Sequence, residues 1–277
     1  MSDDSILTSR DCGVLTLTLN RPAAFNSFTR PMAAALQAGL DEAAGDDSIR
    51  CVVLTGEGKA FCAGQDLKEV TADDAPPLED IVHGTYNTTV RKMRALAKPV
   101  IAAVNGVAAG AGFNIALAAD LCVATESARF IQAFSKIGLI PDSGGTWMLP
   151  KLIGLQRATA LAYLGTPVGA AEAAAMGMIH RAFPAPEMAA VGVSFVGLGR
   201  EEIFHEAQDK HFAQFKARLA REQDLVSGHH AQHALPVFGQ AITAGDPRVL
   251  CHGSMSLEGG GALFEERGDT FGVIVCT

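Results

Sequence analysis

Three glycine-containing segments and one aspartate carry the residue types that could do chemistry in this chain of 277 residues. The segments are Lys59–Lys68 (KAFCAGQDLK), Asn105–Asn114 (NGVAAGAGFN) and Gly138–Thr146 (GLIPDSGGT), and the last of them holds Asp142. A Gly/Ala-rich loop that enters a helix offers backbone N–H groups that a ligand atom can approach closely. Two such loops meeting at one carbonyl oxygen make an oxyanion hole, and a helix beginning near Ala111 adds its positive end. These parts suit negative charge developing on a carbonyl. Close packing alone would also account for the glycines, and spacing does not separate the two explanations.

Other chemistries fit less well. Gly106, Gly110 and Gly112 do not give the GxGxxG dinucleotide spacing, and no GxxxxGK(S/T) loop exists. Asp142-Ser143-Gly144-Gly145 matches the DSGG around a serine-protease nucleophile, but no paired His segment accompanies it. His229 and His233 would place two imidazoles on one helical face beside His230, yet no Asp, Glu or Cys stands at ligand spacing, so no metal site is expected.

The formal charge is −8 and no Lys/Arg-rich run occurs, which argues against a nucleic-acid binder. An anionic substrate can still be received by a few local cations or backbone amides. Hydrophobic residues make up 48% and charged residues only 19%, against about 25% in an average globular chain. Surface buried between subunits would explain that shortfall. Six cysteines scattered without CxxC spacing, and an N-terminus (MSDDSILTSRD) without an apolar stretch, point to free thiols and a cytoplasmic location. The 21 uncharged residues between Lys98 and Asp120 are long enough to span a membrane, but Pro99, Asn105, Gly106, Gly110, Gly112 and Asn114 favour a buried strand, turn and helix.

The elements that must position these loops follow from periodicity. Gly13–Asn20 alternates as a half-buried strand, Pro31 opens a helix after Thr29, and Arg50–Gly56 is the next short strand. A loop over 57–75 leads to a helix over Leu78–Ala97. Pro99–Val104 reads as a buried strand, Gly110–Ala119 as a helix and Asp120–Ala124 as a strand. Helices are expected over Pro150–Leu164 and Gly169–Met178, joined by GTPV, with a charged helix near Arg200–Gln223. The rhythm is strand, strand, helix, and no linker isolates a second domain.

Read together, NRP-x4-NS (Asn20–Ser27), KAFCAGQDL (Lys59–Leu67), KPVIAAVNGVAAGAGFNIALAADL (Lys98–Leu121), GLIPDSGGTWMLPKLIG (Gly138–Gly154) and AAAMGMIHR (Ala173–Arg181) resemble the crotonase family of enoyl-CoA hydratases and isomerases. Order and spacing match over residues 5–185, and Glu258–Phe271 resembles the family's closing segment, whereas 186–256 departs from it. The resemblance implies an α/β fold with a ββα spiral core over 1–185 and a C-terminal helical, trimerising region of atypical sequence over 186–277. It further implies an acyl-CoA thioester substrate, coenzyme A as part of that substrate, no tightly bound cofactor or metal, and a homotrimer or hexamer.

By the same resemblance, the amides of Gln65 and Ala111 form the oxyanion hole. Ala63, Gly64, Asp66, Leu67, Gly110, Asn114 and Phe134 border the substrate. Where a hydratase of the family has two glutamates, this chain has Asn114 and Phe134, which can neither activate water nor deliver a proton. Asp142 instead occupies the position where the family's isomerases place an acid. The CAGQDL and GLIPD-x-GGTW segments are most similar to the ring-1,2-epoxyphenylacetyl-CoA isomerase branch of phenylacetate catabolism. One acid/base residue suffices for isomerisation, because a proton is taken from one carbon and returned to another. In an apolar pocket lined by Phe134 and Ile140, Asp142 should hold its proton more tightly than usual. The expected reaction is epoxide-to-oxepin isomerisation or Δ3-to-Δ2 double-bond migration as in fatty acid metabolism; alternatives left open are hydration, Asp142 as a nucleophile on an aryl-CoA, Asp142 as a helix cap, and a non-catalytic binding protein of the same fold.

Overall fold

In the computed structural model the described residues are 4–72 and 75–190. The expectations for 191–277, including the charged helix, the three histidines and the closing segment, lie outside them, as does most of the region expected after residue 185.

Among the described residues ten strands form two sheets. The first has the order β1-β2-β3-β5-β7-β10, built from β1 (Ile6–Asp11), β2 (Val14–Leu19), β3 (Cys51–Gly56), β5 (Val100–Val104), β7 (Leu121–Thr125) and β10 (Arg181–Phe183). The second has the order β4-β6-β8-β9, from β4 (Ala60–Cys62), β6 (Val107–Ala109), β8 (Arg129–Ile131) and β9 (Val168–Gly169). β1–β2 and β8–β9 are antiparallel and the other pairings are parallel. Consecutive strands β3/β4, β5/β6 and β7/β8 each give one member to each sheet, so the chain winds as repeated strand–strand–helix units.

The central strands of the larger sheet are buried on both faces, as parallel strands require. Leu15, Leu17, Leu19, Val52 and Leu54 belong to the main core, while Val14, Cys51, Val53, Ile101, Ala103 and Val123 form a second cluster on the opposite face. α1 (Arg30–Gly45) packs Met32, Leu36 and Leu40 into the main core; its N-cap Thr29 accepts a hydrogen bond from Met32 N, with Pro31 in the first turn.

The uncharged stretch after Lys98 folds as β5, a turn, β6 and α5 (Ala111–Ala118), every residue of α5 being buried. No helix among the described residues is long and apolar enough to cross a membrane.

Three elements differ from the sequence expectation. The loop over 57–75 contains β4 and the short helix α2 (Leu67–Val70), too brief to show a period. The helix expected over 78–97 comprises α3 (Leu78–Ile81), a π-helical segment Val82–Asn87 and α4 (Thr88–Ala95). The helix expected from Pro150 begins earlier and is broken: α6 (Gly145–Ile153) contains Pro150, and Gly154 at φ 79° separates it from α7 (Leu155–Leu164). Helix α8 (Ala170–Ala175) falls within the expected span, while Val168 at the end of the joining turn and Gly169 at the start of the expected helix form β9.

Candidate active site

The first loop leaves β4 and is stitched to the segment after β2. Asn26, fully buried, donates through Nδ2 to Glu57 O (2.9 Å) and Ala60 O (2.7 Å) and accepts from Arg21 N (2.8 Å). Ala63 N donates to Phe25 O, Phe28 N to Gly64 O (2.7 Å) and Asp66 N to Phe28 O (3.0 Å). Phe28 and Gln65 thus form an isolated parallel bridge. In such a bridge the peptide groups flanking the residue face its partner, so Gln65's own N–H and C=O face the other way. Among the described residues no protein carbonyl receives the N–H of Gln65 or of Ala111.

Gly64 brings the two amides together. Its φ is +95°, and a Cβ there would lie 3.0 Å from Ala109 O and 3.5 Å from Ala111 N. Behind it, Gly112 lets the first turn of α5 close on β4, since a Cβ on it would come within 2.4 Å of Cys62 O. Burial pushes the Cys62 thiol up to about 12, against a hydrogen bond from the Gly64 amide, so it stays neutral and is no rival nucleophile.

Asp142 stands at the head of a turn. Ser143 and Gly144 both have positive φ (52° and 77°), and Gly145 N donates to Asp142 O at 2.8 Å, the signature of a type I′ turn. Its side chain does not cap α6, whose N-cap is Gly144 and which has no side-chain cap bond; the carboxylate accepts from Ser143 Oγ (2.7 Å) instead. Burial pushes the Asp142 carboxyl up to about 6, partly offset by the bonds from Ser143 Oγ and its own amide. No salt bridge reaches it among the described residues. By contrast Asp66 is paired with Arg21 (2.7 Å) and Glu69 with Arg30 (3.1 Å).

Asn114 holds this turn against α5. Nδ2 donates to Asp142 O (2.9 Å), Oδ1 accepts from Gln132 Nε2 (2.7 Å), and its own N–H closes on Gly110 O (3.2 Å). Any Cβ at 145 would strike the Asn114 carboxamide at 2.3 Å. We expect Asn114→Asp to lose about 2 kcal/mol of stability at pH 8, where a carboxylate cannot donate to Asp142 O, and to recover it in acid, where a carboxyl can. Urea unfolding at the two pH values checks this.

The sequence-predicted residues therefore separate. Gly64 lies against Ala109 and Ala111, Asn114 ties Asp142 to Gly110 and the first turn of α5, and a Cβ on Gly110 would lie 3.9 Å from the ring of buried Phe134. Ala63 and Leu67 are exposed beside the loop. Asp66 caps α2 through Lys68 N (3.0 Å); burial opposes its charge, but Arg21, Lys68 N and Ser27 outweigh that and hold its pKa below the usual value. It braces the loop and does not face the two amides as an uncommitted carboxylate. Sequence reasoning missed Asn26, Phe28, Glu69, Tyr86 and Gln132, whose contributions are contacts across the fold; only Asn26, Phe28 and Glu69 lay in or beside a quoted motif. Among the described residues no cluster of three or more His, Cys, Asp or Glu could hold a metal ion.

A family model described as Enoyl-CoA hydratase/isomerase matches residues 9–258, across the stretch 186–256 where the sequence pattern departs. The chain is 51% identical over 177 residues to the 1,2-epoxyphenylacetyl-CoA isomerase of Escherichia coli, covering 63% of this chain and 68% of that protein. It is 40% identical over 185 residues to the trans-2-decenoyl-(acyl-carrier-protein) isomerase of Streptococcus mutans, covering 65% of this chain and 70% of that protein. These matches span about two thirds of the curated relatives' length. An enoyl-CoA hydratase from Mycobacterium avium subsp. paratuberculosis superposes with a TM-score of 0.71 at 30% identity, over 89% of this chain and 93% of that one.

Proposed function

The chain belongs to the enoyl-CoA hydratase/isomerase family and has its crotonase fold, and we propose that within the family it is an acyl-CoA isomerase with Asp142 as the single acid/base. The observation that carries this is a carboxylate that pairs with no cation among the described residues, held at about 6, on a turn that Asn114 fastens to the first turn of α5. That same turn of helix presents the Ala111 amide.

In the proposed reaction Asp142, as carboxylate, takes a proton from a carbon next to or conjugated with the thioester. The electron pair moves onto the carbonyl oxygen, held by the Gln65 and Ala111 N–H groups. Asp142 then returns the proton to a different carbon and the carbonyl re-forms. No water enters and no atom is gained or lost, so a second acid is not needed. The residues at the second-acid positions support this: Phe134 is apolar, and both ends of the Asn114 carboxamide are engaged. Ring-epoxide isomerisation of a phenylacetyl-CoA type substrate and Δ3-to-Δ2 enoyl migration are the reactions proposed, the first favoured by the 51% relative. A homotrimer or hexamer in the cytoplasm is proposed with it. Exposed Leu152, Leu155, Tyr163 and Leu164 supply apolar surface for such an assembly.

The test is a panel of acyl-CoA thioesters in deuterated water. Isomerisation with deuterium entering beside the thioester is expected. Absence of both isomerisation and exchange across the panel would sink the proposal; a covalent adduct on Asp142 would replace acid/base action by nucleophilic attack.

A further inference from the structure

The Gln65 side chain is gripped at both ends by residues that no motif identifies. Tyr86 Oη donates to Gln65 Oε1 at 2.6 Å, and Gln65 Nε2 donates to Glu69 Oε2 at 3.1 Å. Glu69 is fixed in turn by Arg30, whose N and Nε both donate to it (3.1 Å each) at the start of α1. Tyr86 lies in the π-helical segment Val82–Asn87, a rare conformation that recurs at functional sites. The carbonyls of Gly84 and Thr85 there receive Gln37 Nε2 from α1 at 2.9 and 3.2 Å, so α1 holds both the π segment and Glu69. The Tyr86 ring is buried and stacks on Phe28 at 5.5 Å, and Phe28 is the residue that bridges Gln65.

We propose that Tyr86 is a positioning residue for the oxyanion hole: its hydroxyl, with Glu69, clamps the Gln65 carboxamide so that the Gln65 peptide N–H stays aimed at the thioester oxygen. This rests on the isomerase proposal above, but assigns Tyr86 a role exerted through Gln65. The chemistry of the grip is specific. A phenol can only donate usefully to Oε1 and a carboxylate can only accept from Nε2, so the carboxamide has one orientation. Burial raises the Tyr86 pKa well above its ordinary value, with the Asp142, Glu69 and Asp66 charges adding to it, so the hydroxyl remains a donor throughout the working pH range. Without that donor the side chain can turn, and the peptide plane at Gln65 loses one of its two restraints, Phe28 being the other.

Tyr86→Phe keeps the ring, its burial and its stacking while removing the donor. For the isomerisation we expect kcat to fall ten- to thirtyfold with KM changed less than twofold. In infrared difference spectra, the thioester carbonyl of a bound unreactive acyl-CoA should lose part of the downshift it shows on the wild type. A merely structural role for Tyr86 would lower the melting temperature without moving that band. Gln65→Met removes the other side of the bond and should give the same loss, and adding Tyr86→Phe to it should cost nothing more. Full kcat and an unchanged carbonyl band in Tyr86→Phe, or additive losses in the double variant, would overturn the clamp alone. A wild-type protein that shifts no thioester carbonyl would overturn both the clamp and the isomerase proposal.

Discussion

Asp142→Asn is expected to lower kcat for isomerisation roughly a thousandfold, within the range a single general acid/base supplies. Asn can still accept from Ser143 Oγ, and the turn is closed by backbone atoms, so the variant should keep the fold and bind acyl-CoA as before. The pH dependence is the sharper measurement. In the proposed reaction the carboxylate takes the proton, so wild-type kcat/KM should rise as pH passes about 6 and level off above it. That limb should vanish in the variant. Stability should move the opposite way. Burial raises the folded-state value from 3.8 to about 6, so the fold favours the protonated form. That contribution is complete below the unfolded value and is lost as pH rises through the folded one. The difference corresponds to about 3 kcal/mol at most above that window. Asp142→Asn carries no such penalty, so relative to wild type it should gain on the order of 2–3 kcal/mol between pH 4 and pH 8. Urea unfolding at both pH values reads this directly. A variant whose stability relative to wild type does not change between them would show that Asp142 is not held against its ionisation.

That trade between activity and stability was partly legible in the sequence. The IPD-x-GGT position marked Asp142, and the apolar neighbours predicted the direction of its shift. The turn that presents it was not, because a positive φ at Ser143 follows from packing and not from a residue preference. The long buried segments, β2, β3, β5 and α5, declared themselves by hydrophobic pattern. β4, β6, β8, β9 and β10 span only two or three residues each and exist because neighbouring strands pair with them. Asn114 was recognisable as a departure from a glutamate, but its use could not be seen until the Asp142 carbonyl and Gln132 were found at its two ends. Tyr86 was still further from reach: nothing in VHGTYN announces a π segment, and its partner lies 21 residues upstream.

Gly64→Ala should be the other severe change, lowering kcat by about 10²–10³, the magnitude of losing one oxyanion donor. Two effects act together. At φ +95° an alanine is strained by roughly 1–3 kcal/mol, and relief would rotate the peptide that Gly64 shares with Gln65, turning its N–H. If the backbone holds instead, the new methyl lies 3.5 Å from Ala111 N, crowding the space proposed for the thioester oxygen. Gly138→Ala is the control: it too has positive φ (+69°), but nothing lies within 4 Å of the added carbon. It should lose a similar stability and keep its rate. The pH profile then separates the hole from the base. Gly64→Ala leaves Asp142 in place, so its much reduced rate should still rise through about 6, whereas Asp142→Asn should show no such limb at any rate. Should Gly64→Ala and Gly138→Ala lose rate equally, the defect would be backbone strain, and the converging amides would have no part in holding the oxygen.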